Sequence, residues 1–207
     1  SGQYSSWGSK LATPSSYDPA KDFFETGTNF INSLTLTAGN KTNQTFFSAA
    51  STNNKGVVPN NSYHRYNFTV RNTTSLFEDK LQLDFGASYI KQKDMNMVSQ
   101  GEYWNPIVAA YLYPRGEDFE KVKTFERYDT SRYFATQYWP LSESRFAPQN
   151  PYWTAYRNLA SNNKDRFMFN AGLTYKITSW ANVATRARLD KSYVNFERKL
   201  YASSNEI

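Results

Sequence analysis

The sequence predicts an all-β protein built from antiparallel strands, and three observations lead to this fold class. Apolar and polar side chains alternate with a period of two in several segments, as expected for strands with two different faces. Short and long connections alternate strictly along the chain. Aromatic residues, which make up 17% of the chain, gather near the ends of the alternating segments. Together these features indicate six strands joined as hairpins.

Four of the predicted strands lie in the first half of the chain. They cover, in order, 30–39, 45–52, 66–71 and 81–89. The connections between them are a tight turn, a longer loop and a second short turn, at 40–43, 53–63 and 78–80. The fourth strand has the clearest alternation, because five apolar side chains from Leu81 to Tyr89 are separated by polar or small ones.

The segment 95–163 loses this alternation and is predicted to be a long insertion. It holds 15 of the 36 aromatic residues and includes a short helix predicted at 107–111. Alternation returns in two further strands, 167–176 and 182–190, joined by a turn at 178–180. The longest apolar run, 107–113, is too short to predict a membrane-spanning helix.

Periodicity alone fits both a soluble β-sandwich and a transmembrane β-barrel. A sandwich packs its apolar face inside, whereas a barrel turns that face to lipid and fills its lumen with polar side chains. Strict alternation of short and long connections favours the barrel, because outer-membrane barrels have short periplasmic turns and long extracellular loops. Aromatic residues near the strand ends agree with interfacial girdles. Six strands are too few to close such a barrel, so the sequence predicts a segment of a larger one.

Nine short motifs occur in a fixed order along the chain. The first half of the chain contributes FFETG at 23–27, NSLTLTAGN at 32–40, KGVVPN at 55–60, RYNF at 65–68 and DKL at 79–81. The second half contributes NP at 105–106, LYPR at 112–115, NPYW at 150–153 and DRF at 165–167. In this order the motifs resemble the early barrel of SusC/RagA-type TonB-dependent outer-membrane transporters, and the resemblance covers nearly the whole chain.

The resemblance implies a 22-stranded barrel in the Gram-negative outer membrane, with its long loops extracellular. It also implies a plug, which is not recognised in this sequence, and cargo that is either glycan or oligopeptide. The implied partners are the remainder of the transporter, a SusD-like surface lipoprotein that covers the mouth as a lid, the TonB complex, the lipid bilayer and the cargo. The implied division is the end of an extracellular loop, four strands, a long extracellular loop with short helices, and two strands, at 1–29, 30–94, 95–163 and 164–200.

Nothing in the sequence predicts catalysis, a cofactor or a metal site. The chain has no cysteine and one histidine, His64, so thiolate chemistry and a two-histidine metal site are excluded. No phosphate-binding or zinc-protease motif is present. The net charge of +6 does not predict nucleic-acid binding, because the basic residues are not expected to gather on one face. The alternative function is a soluble β-sandwich that binds carbohydrate with its aromatic-rich loop.

Two groups of residues are candidates for function. The first group lies in the insertion and is predicted to contact substrate or the lid, or else to form the core of the insertion itself. It comprises Tyr103, Trp104, Arg115, Tyr138, Trp139, Tyr152 and Trp153. The second group is predicted to face the lumen, where its arginines either steer substrate or pair with the aspartates. It comprises Arg71, Asp84, Lys176, Arg186, Arg188 and Asp190.

Overall fold

The computed structural model describes residues 9–140 and 148–204, and one large antiparallel β-sheet dominates it. This part of the chain forms eight strands and four short helices. The strands are β1 (Thr28–Gly39), β2 (Asn43–Lys55), β3 (Ser62–Leu76), β4 (Leu81–Met95), β5 (Glu126–Asp129), β6 (Phe134–Gln137), β7 (Asn158–Lys176) and β8 (Asn182–Leu200). The helices are α1 (Pro19–Asp22), α2 (Pro106–Leu112), α3 (Glu120–Lys123) and α4 (Pro151–Arg157).

Six strands form the large sheet in the order β1-β2-β3-β4-β7-β8, and β5 and β6 form a separate hairpin. The predicted all-β class and the six antiparallel strands are therefore confirmed. The helix predicted at 107–111 lies within α2. None of the described helices is long and apolar enough to cross a membrane.

The strands of the large sheet extend further than the alternation predicts. β7 begins at Asn158, nine residues before the apolar pattern starts at Phe167, and Ser161 pairs with Met95 of β4. The predicted loop at 53–63 is shorter for the same reason, since Lys55 pairs with Ser62. Backbone pairing continues through these polar residues because the ladder hydrogen bonds do not depend on side-chain polarity. The polar extensions lie at one end of the sheet.

The register is continuous through all five strand pairs, so each face can be followed across the sheet. One face, here called the apolar face, is defined by a row of mutually paired residues. That row is Leu36, Phe47, Val70, Ala87, Phe169 and Leu189. The opposite face, here called the polar face, carries the neighbouring row. That row is Thr37, Phe46, Arg71, Gly86, Asn170 and Arg188.

The apolar face contains a mainly apolar band that lines up across four neighbouring strands. Of its 20 side chains on this face, 16 are apolar or aromatic, and the other four are Asn72, Thr74, Thr185 and Lys191. In each strand the band covers nine residues, namely Phe68–Leu76, Leu81–Tyr89, Phe167–Tyr175 and Val183–Lys191. Its side chains are exposed, with Phe85 at 50% and Leu189 at 58% of their full accessibility. Within the six strands, which are fully described, the only buried residues are Gly86 and Asn158. No element of the described chain covers the band.

The hydrophobic core lies outside the sheet, in a cap formed by the described residues of 14–25, 56–61, 96–157 and 201–204. Its buried cluster joins the chain before β1, the β2–β3 connection and the insertion. The cluster comprises Tyr17, Phe23, Val58, Ala110, Tyr113, Phe119 and Val122. The cap sits at the end of the sheet that carries the polar extensions.

The opposite end of the sheet has only short turns, at 40–42, 77–80 and 177–181. The first turn is closed by the side chain of Asn40, whose Oδ1 accepts hydrogen bonds from the backbone N–H groups of Thr42 at 2.9 Å and Asn43 at 2.8 Å. Such local amide contacts allow a chain reversal of very few residues. The sheet therefore has one elaborate end and one minimal end.

Candidate functional site

The polar face brings together all six residues that the alternation assigned to one side of the strands. Arg71 lies on β3, Asp84 on β4 and Lys176 on β7. β8 contributes the remaining three, which are Arg186, Arg188 and Asp190. Two shallow depressions lie between these side chains, one lined by Arg71, Arg188 and Asp190 and the other by Asp84, Arg186 and Arg188.

Glycines form the floor of these depressions. Gly86 is buried beneath the side chain of Asn170, and a Cβ on Gly86 would stand 2.3 Å from Asn170 Oδ1. Gly172 lies between Asp84 and Arg186 in the adjoining row. The missing side chains lower the centre of the face relative to its flanks. Arg71 and Arg188 stand on either side, roughly 14 Å apart between Cα atoms, since three strand spacings separate them.

The aspartates of this face do not pair with the arginines expected from the sequence. Asp190 is held instead by Arg166, whose Nε donates to Asp190 Oδ1 at 2.8 Å and whose Nη2 contacts Oδ2. Asp84 accepts from Thr73 Oγ1 at 2.8 Å and from Gln82 Nε2 at 3.1 Å. The only signal for Arg166 in the sequence was its parity, which places it on the same face as Asp190.

The candidate arginines are left without a carboxylate partner in the described part of the chain. No ion pair within 4.0 Å there involves Arg71, Arg186 or Arg188. The guanidinium of Arg71 lies over the ring of Phe46 at 5.7 Å from its centroid, which holds the side chain against β2. Three cations are therefore presented over the open side of the polar face.

Basic residues dominate the polar face as a whole. Its eight basic residues are Arg65, Arg71, Lys164, Arg166, Lys176, Arg186, Arg188 and Arg198. Its three acidic residues are Asp84, Asp94 and Asp190, which gives this face a net charge of +5. The opposite face of the same strands has five lysines and two acidic residues, a net charge of +3. These eight basic residues of the polar face are a third of the chain's 24, so the polar face holds a basic group without gathering most of the chain's cations. The long polar extensions of the strands carry the alternation further than the sequence suggested and add basic residues to the same side.

A third depression, here called the cap groove, lies where the polar face meets the cap. Its lining includes Asp94, Met97, Ser99, Asn162, Phe196 and Arg198, and Trp104 stands next to it. The guanidinium of Arg198 stacks on Trp104 at 4.2 Å from the ring centroid. Asn162 Nδ2 donates to Asp94 Oδ2 at 3.1 Å. Asn162 Oδ1 is buried and accepts no hydrogen bond from the described chain, so the groove offers an unused acceptor.

Three of the seven candidate residues in the insertion have packing roles. Trp153 is fully buried, and its indole N–H donates to Ser204 Oγ at 3.0 Å. Tyr152 packs edge-on against Phe23 and donates its hydroxyl to the carbonyl of Asp22 at 3.1 Å. Trp139 packs against the same core. The reading in which these rings form the core of the insertion accounts for their positions.

The other four candidates lie nearer the surface of the cap. Trp104 stands beside the cap groove under Arg198. Tyr138 is stacked under the guanidinium of Arg127 at 3.4 Å. Arg115 is exposed and donates to the carbonyl of Tyr17, and Tyr103 is half-buried. Contact with substrate or lid stays a prediction for these residues.

Asn150 is the residue of the cap that sequence reasoning passed over. It is fully buried and caps α4, with Oδ1 accepting from Tyr152 N at 2.9 Å and Trp153 N at 3.3 Å. Its Nδ2 donates to the carbonyls of Val122 at 2.8 Å and Tyr138 at 3.0 Å. The signal was available, since Asn followed by Pro is typical of a helix N-cap with Pro at the first helical position. One amide thus ties together three segments of the insertion.

Burial raises the pKa of both Tyr113 and Tyr152 in the cap to about 12, with nearby carboxylates adding to the effect. The neutral phenols are favoured in the folded cap, so their contribution to stability is complete below the ordinary tyrosine pKa of 10.0 and is lost as pH rises towards 12. We expect the cap to lose stability across this interval. Tyrosinate absorbance should rise with pH in two transitions, and Tyr152→Phe should reduce the amplitude of the transition at higher pH. A single transition near pH 10 in the folded protein would contradict this.

No known protein family matches the chain, and no curated protein matches it either. Functional assignment therefore depends on the residues themselves. The features that carry it are the exposed apolar face, the basic polar face opposite, and the cap at one end of the strands.

Proposed function

We propose that this chain is part of the wall of an outer-membrane β-barrel, in an importer of the SusC/RagA TonB-dependent type. The observation that carries the proposal is the apolar band, which is exposed along nine residues of each of four strands. A strand needs about 9–11 residues to span a bilayer. Four rows of paired residues cross the sheet on the apolar face through Leu81, Leu83, Phe85 and Ala87, and none of these rows contains a charged residue. Lipid is the environment that such a surface matches.

Water is a poor environment for the same surface. Apolar area left in water costs about 25 cal/mol per Å² relative to burial. Large aromatic and branched aliphatic side chains such as Phe68, Phe169 and Leu173 are 39–44% exposed there. Monomeric soluble proteins rarely expose apolar patches larger than a few hundred Å². Contact with acyl chains removes this cost without requiring a second layer of protein.

Aromatic residues mark the two edges of the band, as in barrel girdles. At the cap side Tyr89 stacks on Phe167 at 4.8 Å, and Phe167 meets Tyr193 edge-on at 6.5 Å. At the turn side Phe77 and Trp180 are 71% and 86% exposed. Rings with this placement suit the boundary between acyl chains and headgroups. Beyond the cap-side boundary charged and amide side chains occur on both faces, such as Lys91, Asp94 and Asn163, which fits strands that continue out of the bilayer.

The edges of the sheet support a larger barrel. β1 has 12 residues and β8 has 19, and within the described chain each of them pairs with a neighbouring strand on one side only. Unpaired backbone groups within the hydrocarbon region are not tolerated. Neighbouring strands of the same wall would satisfy both edges. The proposal therefore includes the remainder of the transporter as the structural partner of this segment.

The asymmetry of the two ends supports the proposed orientation. Outer-membrane barrels have short periplasmic turns and longer extracellular loops. The turn end corresponds to the periplasmic side, and the cap corresponds to the extracellular side. We assign the cap to contact with a SusD-like lipoprotein lid and the polar face to the lumen, with energy supplied by the TonB complex through a plug. The cargo class within this function is glycan or oligopeptide.

The β-sandwich alternative has less support. A sandwich needs a second sheet packed on the apolar face. In the described ranges the only strands outside the large sheet are β5 and β6, of four residues each. This hairpin contacts α4 and the chain after β8, through Arg157 with Glu126 at 2.7 Å and Gln137 with Ser203 at 2.7 Å. It belongs to the cap and leaves the apolar face open.

The proposal is tested with the complete natural protein that contains this segment. We expect it in the outer-membrane fraction, migrating faster on a denaturing gel before boiling than after, as intact barrels do. We also expect that deleting its gene and disabling TonB abolish growth on the same oligosaccharide or oligopeptide. Recovery in a water-soluble fraction, or growth on every substrate unaffected by both changes, would contradict the proposal.

A further inference from the structure

We propose that the cargo is an acidic oligosaccharide, whose carboxylates are bound by the unpaired arginines of the polar face and whose sugar rings enter through the cap groove. This inference rests on the proposed function and names its substrate class. It follows from three observations: the concentration of positive charge on one face, the lack of carboxylate partners for the central arginines, and the chemistry of the cap groove.

The charge distribution favours an anionic ligand. The polar face has a net charge of +5, against +3 for the opposite face of the same strands. A surface of one sign, enclosed by low-dielectric walls, raises the local concentration of oppositely charged ligands. The arginine side chains also present planar donor forks that bind carboxylates in a bidentate manner. The polar face is thus suited to attract and hold carboxylates.

The central arginines are available for such binding. Asp190 is already occupied by Arg166, and Asp84 accepts from two neutral side chains. Arg186 and Arg188 project from the same face of β8, roughly 7 Å apart along the strand. Arg71 approaches from the other side of the glycine floor. A carboxylate above Gly86 and Asn170 would therefore lie within reach of cations from two directions.

The cap groove indicates a sugar. Phe196 is 63% exposed in the lining of the groove and offers an aromatic surface to the apolar side of a pyranose ring. The buried Oδ1 of Asn162 needs a hydrogen-bond donor, and Asp94 is an acceptor as well. Sugar hydroxyls supply such donors. Arg198, at the edge of the groove, remains a cation for a carboxylate on the same ring.

The aspartates on the polar face argue against a ligand with uninterrupted negative charge. Asp84, Asp94 and Asp190 alternate with the basic residues and would repel a phosphate at every unit of a nucleic acid. A carboxylated glycan alternates acidic groups with neutral hydroxyls, so its donors can meet the aspartates. An acidic peptide has one backbone N–H per residue and fewer donors for these acceptors. The mixture of groups therefore favours the glycan.

The test is isothermal titration of the complete transporter in detergent, with defined probes. The probes are hexamers of galacturonic acid, of mannuronic acid and of hyaluronan, with methyl-esterified hexagalacturonate as the neutral control. Hexa-aspartate and a short oligothymidylate represent the other anionic classes. At least one acidic hexasaccharide should bind, with an affinity that falls as salt rises, and about tenfold more tightly than the ester if galacturonate is that ligand.

The variants separate specific binding from general charge attraction. Arg186→Gln with Arg188→Gln should weaken binding about tenfold or more. The matched control is Lys91→Gln with Lys93→Gln, which removes two cations at the same spacing from the opposite face of β4 and should change binding less than about twofold. Heat-modifiable migration on gels confirms that each variant is assembled.

Four results would overturn the inference: no acidic hexasaccharide binds, the ester binds as tightly as the acid, the two double variants behave alike, or the peptide or oligonucleotide binds more tightly. If the protein is a barrel in the outer membrane and one of these results is obtained, only the assignment of cargo fails. If the protein is found in a water-soluble fraction, the proposed function fails as well. The two failures are therefore distinguishable.

Discussion

Ala87→Arg is expected to prevent assembly of the protein in the outer membrane, whereas Ser88→Arg at the next position is expected to be tolerated. Ala87 lies within the apolar band, two residues from its central residue Phe85, and pairs with Val70 and Phe169. Arginine at the bilayer midplane of a barrel's lipid face costs about 2–4 kcal/mol. Because folded proteins are only marginally stable, a cost of this size is a large fraction of the total free energy of unfolding.

Ser88 is the matched control because it is on the same strand and faces the other way. It lies across from Thr69 and Met168, and its Oγ is 3.1 Å from Thr69 Oγ1. An arginine there joins an already basic and polar face. The measurement is the heat-modifiable fraction of each variant in purified outer membranes. Equal assembly of the two variants, or a greater loss for Ser88→Arg, would contradict the assignment of the faces.

Asn150→Ala is expected to unfold the cap while leaving the sheet assembled. The alanine removes four side-chain hydrogen bonds, two at the start of α4 and two to carbonyls elsewhere in the insertion. Each bond contributes about 1 kcal/mol, and the stranded carbonyls add a desolvation cost, so a loss of roughly 4 kcal/mol is expected. Limited proteolysis should then cut the cap rapidly, while the strands stay protected.

Asn105→Ala is the control for this variant. Asn105 also precedes a proline and caps α2. Its side chain accepts a hydrogen bond from Ile107 N at 3.0 Å, and Asn105 is only partly buried, whereas Asn150 is fully buried. A single lost cap costs about 1 kcal/mol. Proteolysis of the cap should therefore be only slightly faster than in the natural protein. Equal sensitivity of the two variants would show that Asn150 is no more than a helix cap.

The sheet could be predicted because its two faces differ. Leu81 to Tyr89 and Phe167 to Tyr175 alternate so regularly that strand identity and facing follow from the sequence. The extents of the strands could not be predicted in the same way. Residues 161–165 are polar on both faces and carry no periodic signal, yet they pair with β4 and β8.

The charged contacts of the polar face were only partly predictable. Parity placed Arg71, Asp84, Arg188 and Asp190 on one face, but it does not say which neighbours meet. The register shows that Arg188 lies opposite Asn170, while Asp190 lies one row along and meets Arg166 diagonally. The partner of Asp190 depends on the register of β7 against β8. Two strands of similar composition do not reveal this register in their sequences.

The cap was the least predictable part of the molecule. Its core joins Tyr17 and Phe23 to residues about one hundred positions later, such as Phe119 and Val122. Tyr17 stacks on Phe119 with ring centroids 3.8 Å apart. No local pattern specifies such distant packing among aromatics of similar size. The aromatic content of the insertion indicated that it has enough aromatic side chains to form a core. It did not indicate which of these side chains are buried.

Cysteine labelling of the two faces tests the central claim that the apolar face contacts lipid. The chain has no native cysteine, so Ala87→Cys and Ser88→Cys each provide one unique thiol in this segment. Each is introduced into the complete protein with any other cysteines removed, and purified outer membranes are treated with a charged maleimide and an uncharged, lipid-soluble one. We expect the Ala87→Cys thiol to resist the charged reagent and to react with the lipid-soluble one, whereas the Ser88→Cys thiol should react with the charged reagent. Rapid reaction of the Ala87→Cys thiol with the charged maleimide would contradict the claim.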